Sequence, residues 1–233
     1  MEEEPKKRKS RRKLKIFKNP DIAWHEEWTP KRNIMNIPHP HRFYICGRPN
    51  SGKTSFIFNL ILKQSPPFQE LIVLHCDPEY TKEYDDLGAI FPKNIPSPDS
   101  FEGKKKTLVV LDDIDYKSLN KEQQGNLDRL FGFVSTHKNI SLYLTAQHAF
   151  TIPPSVRRCA SGAVLWRMHD VDALQMMGRK LNYTGKELLA LMDKHIENSH
   201  DCIMIDNTHK TPYPLRKNGV IPIEKISVGK GFY

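Results

Sequence analysis

Two short runs hold the residues whose types and spacing could do chemistry. In the first, Gly47, Gly52, Lys53 and Thr54 fit the spacing G-x-x-x-x-G-K-[ST]. Glycines at these places allow a tight loop whose backbone N–H groups turn inward on phosphate oxygens. The lysine adds a point charge at the terminal phosphates, and the hydroxyl beside it can ligate Mg2+. A helix that follows presents its positive end to the anion. The candidate nucleotide-binding set is therefore Gly47, Arg48, Pro49, Asn50, Ser51, Gly52, Lys53, Thr54 and Ser55. In the second run, Leu108-Val109-Val110-Leu111 leads into Asp112 and Asp113. An acid at the carboxyl end of a buried strand can hold Mg2+, directly or through water. Thr54 and Asp112 are the candidate metal ligands, and Asp113 is placed to orient or deprotonate an attacking water. Capping of a turn by the two acids is the plainer alternative.

Three further residue types complete a hydrolytic reading. Gln147 ends another apolar run, and ligands of open α/β sheets sit at the carboxyl ends of strands. A glutamine there can sense the terminal phosphate or hold the water. Arginine is the usual means of neutralising charge in the phosphoryl transition state. The candidates are Arg157, Arg158, Arg129 and Arg48, of which Arg157 is favoured, acting at a neighbour's site if subunits form a ring. The candidate catalytic residues are thus Asp113, Gln147 and Arg157.

These side chains need strands to carry them. Phe43 to Cys46 reads as a buried parallel strand before the loop. Ser55 to Lys63 reads as the helix after it, with Phe56, Ile57, Leu60 and Ile61 at helical spacing. Further strands are expected over 71–77, 107–115, 140–147, 163–166 and 202–206. Helices are expected over 119–137, over a short stretch after Pro153-Pro154, and over 170–195 as two pieces parted near Asn182–Gly185. Residues 78–106 read as surface helix and loop. Strands alternating with helices predict an α/β fold, with a largely parallel central sheet and helices on both faces.

Composition bounds the rest. The 233 residues suit one domain with small additions. No apolar run is long enough to span a membrane, and the charged N-terminus is not a signal sequence in type. The net charge of +9 is uneven: residues 1–18 hold nine Lys/Arg against three Glu, leaving only +3 for the remainder. That tail has little to bury and reads as disordered, able to bind nucleic acid or to direct nuclear import. Residues 19–40, with Trp24 and Trp28, read as an arm; 41–210 as the nucleotide-binding domain; 211–233 as an extension. The four cysteines lack metal or disulfide spacing and read as reduced core residues. His39 and His41 read as surface residues, not ligands. Lys104, Lys105 and Lys106 are a weak candidate for gripping DNA, the alternative being a solvated turn.

With these motifs in hand, the chain resembles a known group. Gly47–Thr54, the Leu108–Asp113 strand, and Thr145-Ala146-Gln147 followed by Pro153-Pro154 and Arg157 look like the genome-packaging ATPases of the FtsK/HerA superfamily, in the poxvirus-type branch found in large DNA viruses and virophages. The resemblance covers about residues 40–210. It implies a RecA-like core, ATP and Mg2+ as substrate and cofactor, and a homo-oligomeric ring. It implies ATP-driven movement of double-stranded DNA into a preformed capsid, with capsid proteins as further partners. Such a protein works inside the host cell, in cytoplasm or nucleus, or stays with the virion. Two other readings of the residues stand beside it. One is a small nucleoside or nucleotide kinase, which shares the loop. The other is an ATP-gated nucleic-acid binding or assembly protein that uses it for binding alone.

Overall fold

The computed structural model describes residues 35, 37–208, 211 and 213–226. The basic tail, nearly all of the arm with Trp24 and Trp28, and the last seven residues lie outside the described residues. Eight strands form one sheet: β1 (Arg42–Cys46), β2 (Glu70–His75), β3 (Thr107–Asp112), β4 (Ile140–Ala146), β5 (Gly162–Trp166), β6 (Cys202–Asp206), β7 (Leu215–Lys217) and β8 (Ile221–Pro222). Their spatial order is β2-β3-β4-β1-β5-β6-β7-β8. The first five run parallel, and the last three pairings are antiparallel.

Among the described residues, five helices flank the sheet: α1 (Lys53–Leu62), α2 (Lys121–Arg129), α3 (Pro154–Cys159), α4 (Val171–Leu181) and α5 (Gly185–His195). A π-helical stretch, Leu130–Val134, prolongs α2 into a last turn, Ser135–His137. Strand periodicity divides the core in two. Phe43, Ile45, Leu108, Val110, Tyr143 and Val164 face α1, meeting Phe56, Ile57 and Leu60. Tyr44, Val109, Leu111, Leu142, Leu144 and Leu165 face the other way, onto Leu127, Val156, Leu174 and Leu188 of α2 to α5. Both faces are covered, as the near-continuous apolar strands require.

The departure from a parallel sheet has a simple cause. Between β5 and β6 the chain makes two helices instead of one. Asn182 ends α4 in the left-handed conformation at φ 64°. Two residues later Thr184 opens α5 with a capping box to Glu187. The helical hairpin returns the chain to the end of the sheet it left, so β6 enters antiparallel. β7 and β8 then follow by short connections, and the stretch after 210 adds strands where only an extension was expected. The buried pair Arg216 to Asp206, at 2.6 Å, ties β7 to β6.

Four expectations are corrected here. His39 and His41 are buried, not on the surface. The His39 ring bridges the Ser141 hydroxyl and the Asn139 carbonyl oxygen at 2.7 Å each. His41 contacts the Pro38 carbonyl at 2.8 Å and the Tyr143 hydroxyl at 2.7 Å. Each imidazole completes the polar starts of β1 and β4, which a surface position could not do. Lys106 is also inside, its ammonium bonded to the Pro66 carbonyl and 5.1 Å from the Phe68 ring centre. Burial pulls its pKa down to about 8. Of the cysteines, only Cys46 and Cys202 are core; Cys76 is exposed and Cys159 half-buried, all four free. The 78–106 region is not wholly surface, because Tyr84, Ile95 and Phe101 are buried.

Candidate active site

The strand order puts β4 between β1 and β3, so the carboxyl end of β4 lies between the glycine loop and the acids. A cleft of about 1200 Å³ opens there, lined by the loop from Pro49 to Ser55, by His75, Cys76, Asp112, Asp113 and Gln147, and by Trp166, His200 and Asn218.

The loop is held at both ends. The Gly47 N–H donates to the Ala146 carbonyl at 3.1 Å, anchoring its start on β4. A Cβ at Gly47 would lie 2.7 Å from the Ser51 hydroxyl and 3.0 Å from Trp166, so only glycine fits. Asn50 and Gly52 take positive φ, at 60° and 98°. Gly52 then begins α1 without any side-chain cap, and no acid occupies the first turn. By contrast, Asn120, Asp170 and Thr184 cap α2, α4 and α5. The leading amides of α1 are thus left facing the cleft, where an anion would take the part of a cap. The Lys53 ammonium spans the loop, donating to the Gly47 and Arg48 carbonyls at 3.0 and 3.3 Å. Thr54, half-buried, and Ser55 follow at the cleft wall.

The acids are joined through a residue that the sequence reading named within a motif but gave no role. The Thr145 hydroxyl donates to Asp112 Oδ1 at 2.6 Å and accepts the Asp113 N–H at 2.8 Å. The buried Tyr84 hydroxyl donates to Asp112 Oδ2 at 3.0 Å. Asp112 is almost wholly buried, and these two donors orient it. Asp113 does not continue the strand to 115 as expected. β3 stops at Asp112, and Asp113 turns at φ 50°, a left-handed conformation uncommon for a non-glycine residue. In a continued strand Asp113 would point to the face opposite Asp112. After the turn its Oδ2 accepts a hydrogen bond from the Gln147 amide at 3.1 Å. A carboxylate and an amide, paired at the cleft mouth, can together hold a water.

Lys53, Thr54, Asp112, Asp113 and Gln147 are therefore brought together. Arg157 is not. Its guanidinium bonds the Ile152 carbonyl, and it lines a different pocket, with Arg158, Arg179 and Lys180. Arg129 pairs with Asp99 at 2.9 Å on the surface. Sequence reasoning missed the role of Thr145 and missed Tyr84 altogether. Thr145 carried a signal: it is a polar residue within an otherwise apolar strand, two positions before Gln147. Tyr84 carried only a faint one: Tyr80, Tyr84 and Leu87 stand at helical spacing, but in a segment, Pro78–Leu87, crowded with charged residues that reads as surface. His200 and Asn218, from the α5–β6 and β7–β8 connections, were also beyond sequence reach. The His200 ring lies 3.3 Å from the Ser51 carbonyl.

No protein-family model matches the chain, and no curated protein does. Solved structures do. The chain is similar to the DNA-packaging ATPase of Sulfolobus turreted icosahedral virus, with TM-score 0.57 and 16% identity over 80% of this chain and 100% of that one. It is similar to the genome packaging NTPase of Sulfolobus turreted icosahedral virus 2 in complex with ATP-gammaS, with TM-score 0.51 and 14% identity over 76% and 96% of the two chains. The sulfate complex of that NTPase gives TM-score 0.53 and 15% identity over 80% and 98%. At such identities the likeness is one of fold: a RecA-like P-loop NTPase fold, resembling the viral packaging ATPases as the motifs led one to expect.

Proposed function

We propose that the protein is an ATP-driven motor that moves double-stranded DNA, hydrolysing ATP to ADP and phosphate, and that its task is packaging a viral genome into a preformed capsid. One observation carries the ATPase part: a glycine loop, an oriented acid and an acid–glutamine pair converge on one cleft at the carboxyl ends of parallel strands. In this reading the loop amides from Gly47 to Ser55 and the Lys53 ammonium hold the phosphates. Thr54 and Asp112 would hold Mg2+. The donor set fits, being a hydroxyl and a carboxylate already oriented by Thr145 and Tyr84, with oxygen ligands of the kind that ion takes. Mg2+ supplies charge neutralisation on the phosphates. Asp113 accepts a proton from water, and Gln147 fixes both the carboxylate and the water.

The DNA and capsid parts rest on the likeness in fold to packaging ATPases and on the basic tail, which suits phosphate backbones without sequence readout. A homo-oligomeric ring, capsid proteins as partners, and work inside the host cell or with the virion belong to the same reading. Any action of Arg157 on phosphoryl charge needs a neighbouring subunit, because it does not reach its own cleft. No described helix is long and apolar enough to cross a membrane.

The test is steady-state ATP hydrolysis with and without double-stranded DNA at low salt, for wild type and Asp113→Asn. Stimulation by DNA that is lost in the variant supports the motor. Hydrolysis indifferent to DNA ends the translocase reading and leaves the ATP-gated switch or, if a nucleoside is phosphorylated, the kinase.

A further inference from the structure

A second pocket, about 280 Å³, lies on the helical face away from the nucleotide cleft, between α3 and α4. Its walls are Pro154, Arg157, Arg158, Met176, Arg179 and Lys180. Four of the six are cations, and no carboxylate lines it. Arg157 is half-buried and fixed on the Ile152 carbonyl. Arg158, Arg179 and Lys180 are exposed, and among the described residues they make no ion pair and no side-chain hydrogen bond. Elsewhere Arg129 and Arg167 are paired with acids, as is usual for surface guanidinium groups.

Two plainer roles fall short. Cations in the last turn of α4 compensate its dipole, but the carbonyl at that end, Asn182 O, takes its hydrogen bond from Lys225. A merely solubilising charge would be scattered. The chain beyond its first 18 residues carries a net excess of only +3, yet four positive charges meet here. Like charges this close repel, and their free energy falls when a polyanion sits among them. Arginines dominate the set, and a guanidinium fork matches phosphate oxygens two at a time.

We propose that the pocket between α3 and α4 binds the phosphate backbone of double-stranded DNA. This rests on the translocase reading and assigns it a contact surface. Pro154 and Met176 give the pocket a rigid corner and an apolar wall, while the three exposed cations meet the phosphates. Contact is with the backbone alone, so it is indifferent to sequence, as movement along DNA requires.

The experiment is fluorescence anisotropy of a labelled random-sequence duplex with the full chain, across a salt series. Wild type is compared with Arg179→Ala/Lys180→Ala and with Lys82→Ala/Lys93→Ala, which removes equal charge from exposed residues by the β2 edge of the sheet. Each phosphate contact contributes about 0.9 to the slope of log affinity against log salt. The first pair is expected to flatten that slope by about 1.8. Between 50 and 200 mM salt, wild type should therefore lose roughly tenfold more affinity than that variant. The control pair should leave the slope near wild type. An unchanged slope in the α4 variant overturns the pocket while leaving the motor reading standing. Wild type that fails to bind duplex, with hydrolysis indifferent to DNA, overturns both. If the α4 pair weakens binding of a poly-glutamate peptide but not of duplex, the pocket belongs to an acidic protein segment and the proposal fails.

Discussion

The Thr145 hydroxyl binds Asp112 and the Asp113 backbone at once, donating to the first at 2.6 Å and accepting from the second at 2.8 Å. One side chain on β4 therefore sets both the carboxylate proposed to meet the metal and the backbone turn that aims the carboxylate proposed to meet water.

Removing that hydroxyl with a near-isosteric change should disturb the acids without emptying the core. Thr145→Val is expected to lower Mg2+ affinity or turnover by about 10–100-fold, the usual effect of losing a partner of a metal ligand. A Mg2+ titration of ATP hydrolysis reads it. Unaltered Mg2+ dependence and turnover would show that Asp112 needs no orientation from β4.

Asp113→Asn keeps a residue that tolerates positive φ and removes the negative charge. Turnover should fall by about 10²–10⁴-fold, the range of general base catalysis, while the affinity for a non-hydrolysable nucleotide stays within a few fold. Equal loss in both would make Asp113 a binding residue.

Gly52→Ala forces an L side chain into φ 98°. The strain costs about 1–2 kcal/mol, or roughly 2–8 °C of melting temperature for a chain of this size. Nucleotide binding should weaken with it, because the same residue sets the path of the loop amides. A thermal melt with and without ATP checks both, and a melting temperature equal to wild type refutes the strain argument.

Acid should destabilise the far end of the sheet. Burial holds the His41 imidazole down at about 4 and that of His39 at about 2, against an ordinary 6.5. The neutral rings are favoured by folding, so their contribution is complete above pH 6.5. It is lost progressively as pH falls from there toward about 4 for His41 and about 2 for His39, because the unfolded chain takes up protons first. By pH 5 the loss is roughly 2 kcal/mol for each ring. Urea midpoints at pH 7 and 5 measure it, and His41→Gln should reduce the difference. A midpoint constant over that interval would contradict the burial.

Arg216→Ala leaves the buried Asp206 carboxylate without its guanidinium, with the Thr208 and Thr211 hydroxyls still bonded to it. The expected loss is about 3–5 kcal/mol, as for other half-removed buried pairs, seen in denaturant unfolding. Replacing Asp206 by Asn in the same chain should recover part of it; no recovery would mean that the arginine acts through packing alone.

The parallel half of the fold could be read in advance because its strands are unbroken apolar runs, as at Leu108–Leu111, and its loop has demanding spacing. The antiparallel half was missed although its cause was legible: two helices parted near Asn182–Gly185 were expected, but not that such a pair brings the chain back to the same end of the sheet and so reverses the next strand. The site was legible where chemistry is tied to residue type, at Lys53, Asp112 and Gln147. It was hidden where it depends on through-space partners: Tyr84 is 28 residues from Asp112, and His39 is 102 residues from Ser141. Buried histidines resemble exposed ones in a sequence until their partners are placed.

The far wall of the cleft is made by Asn218 and Val220, near the end of the described chain, whereas the glycine loop lies near its beginning. Synthesis runs from one to the other. A nascent chain carries the glycine loop, both acids and Gln147 well before the residues of the far wall, so the cleft is completed late, with the last strands. Premature termination after β6 would leave every recognisable motif intact and still yield a product without the far wall of the cleft.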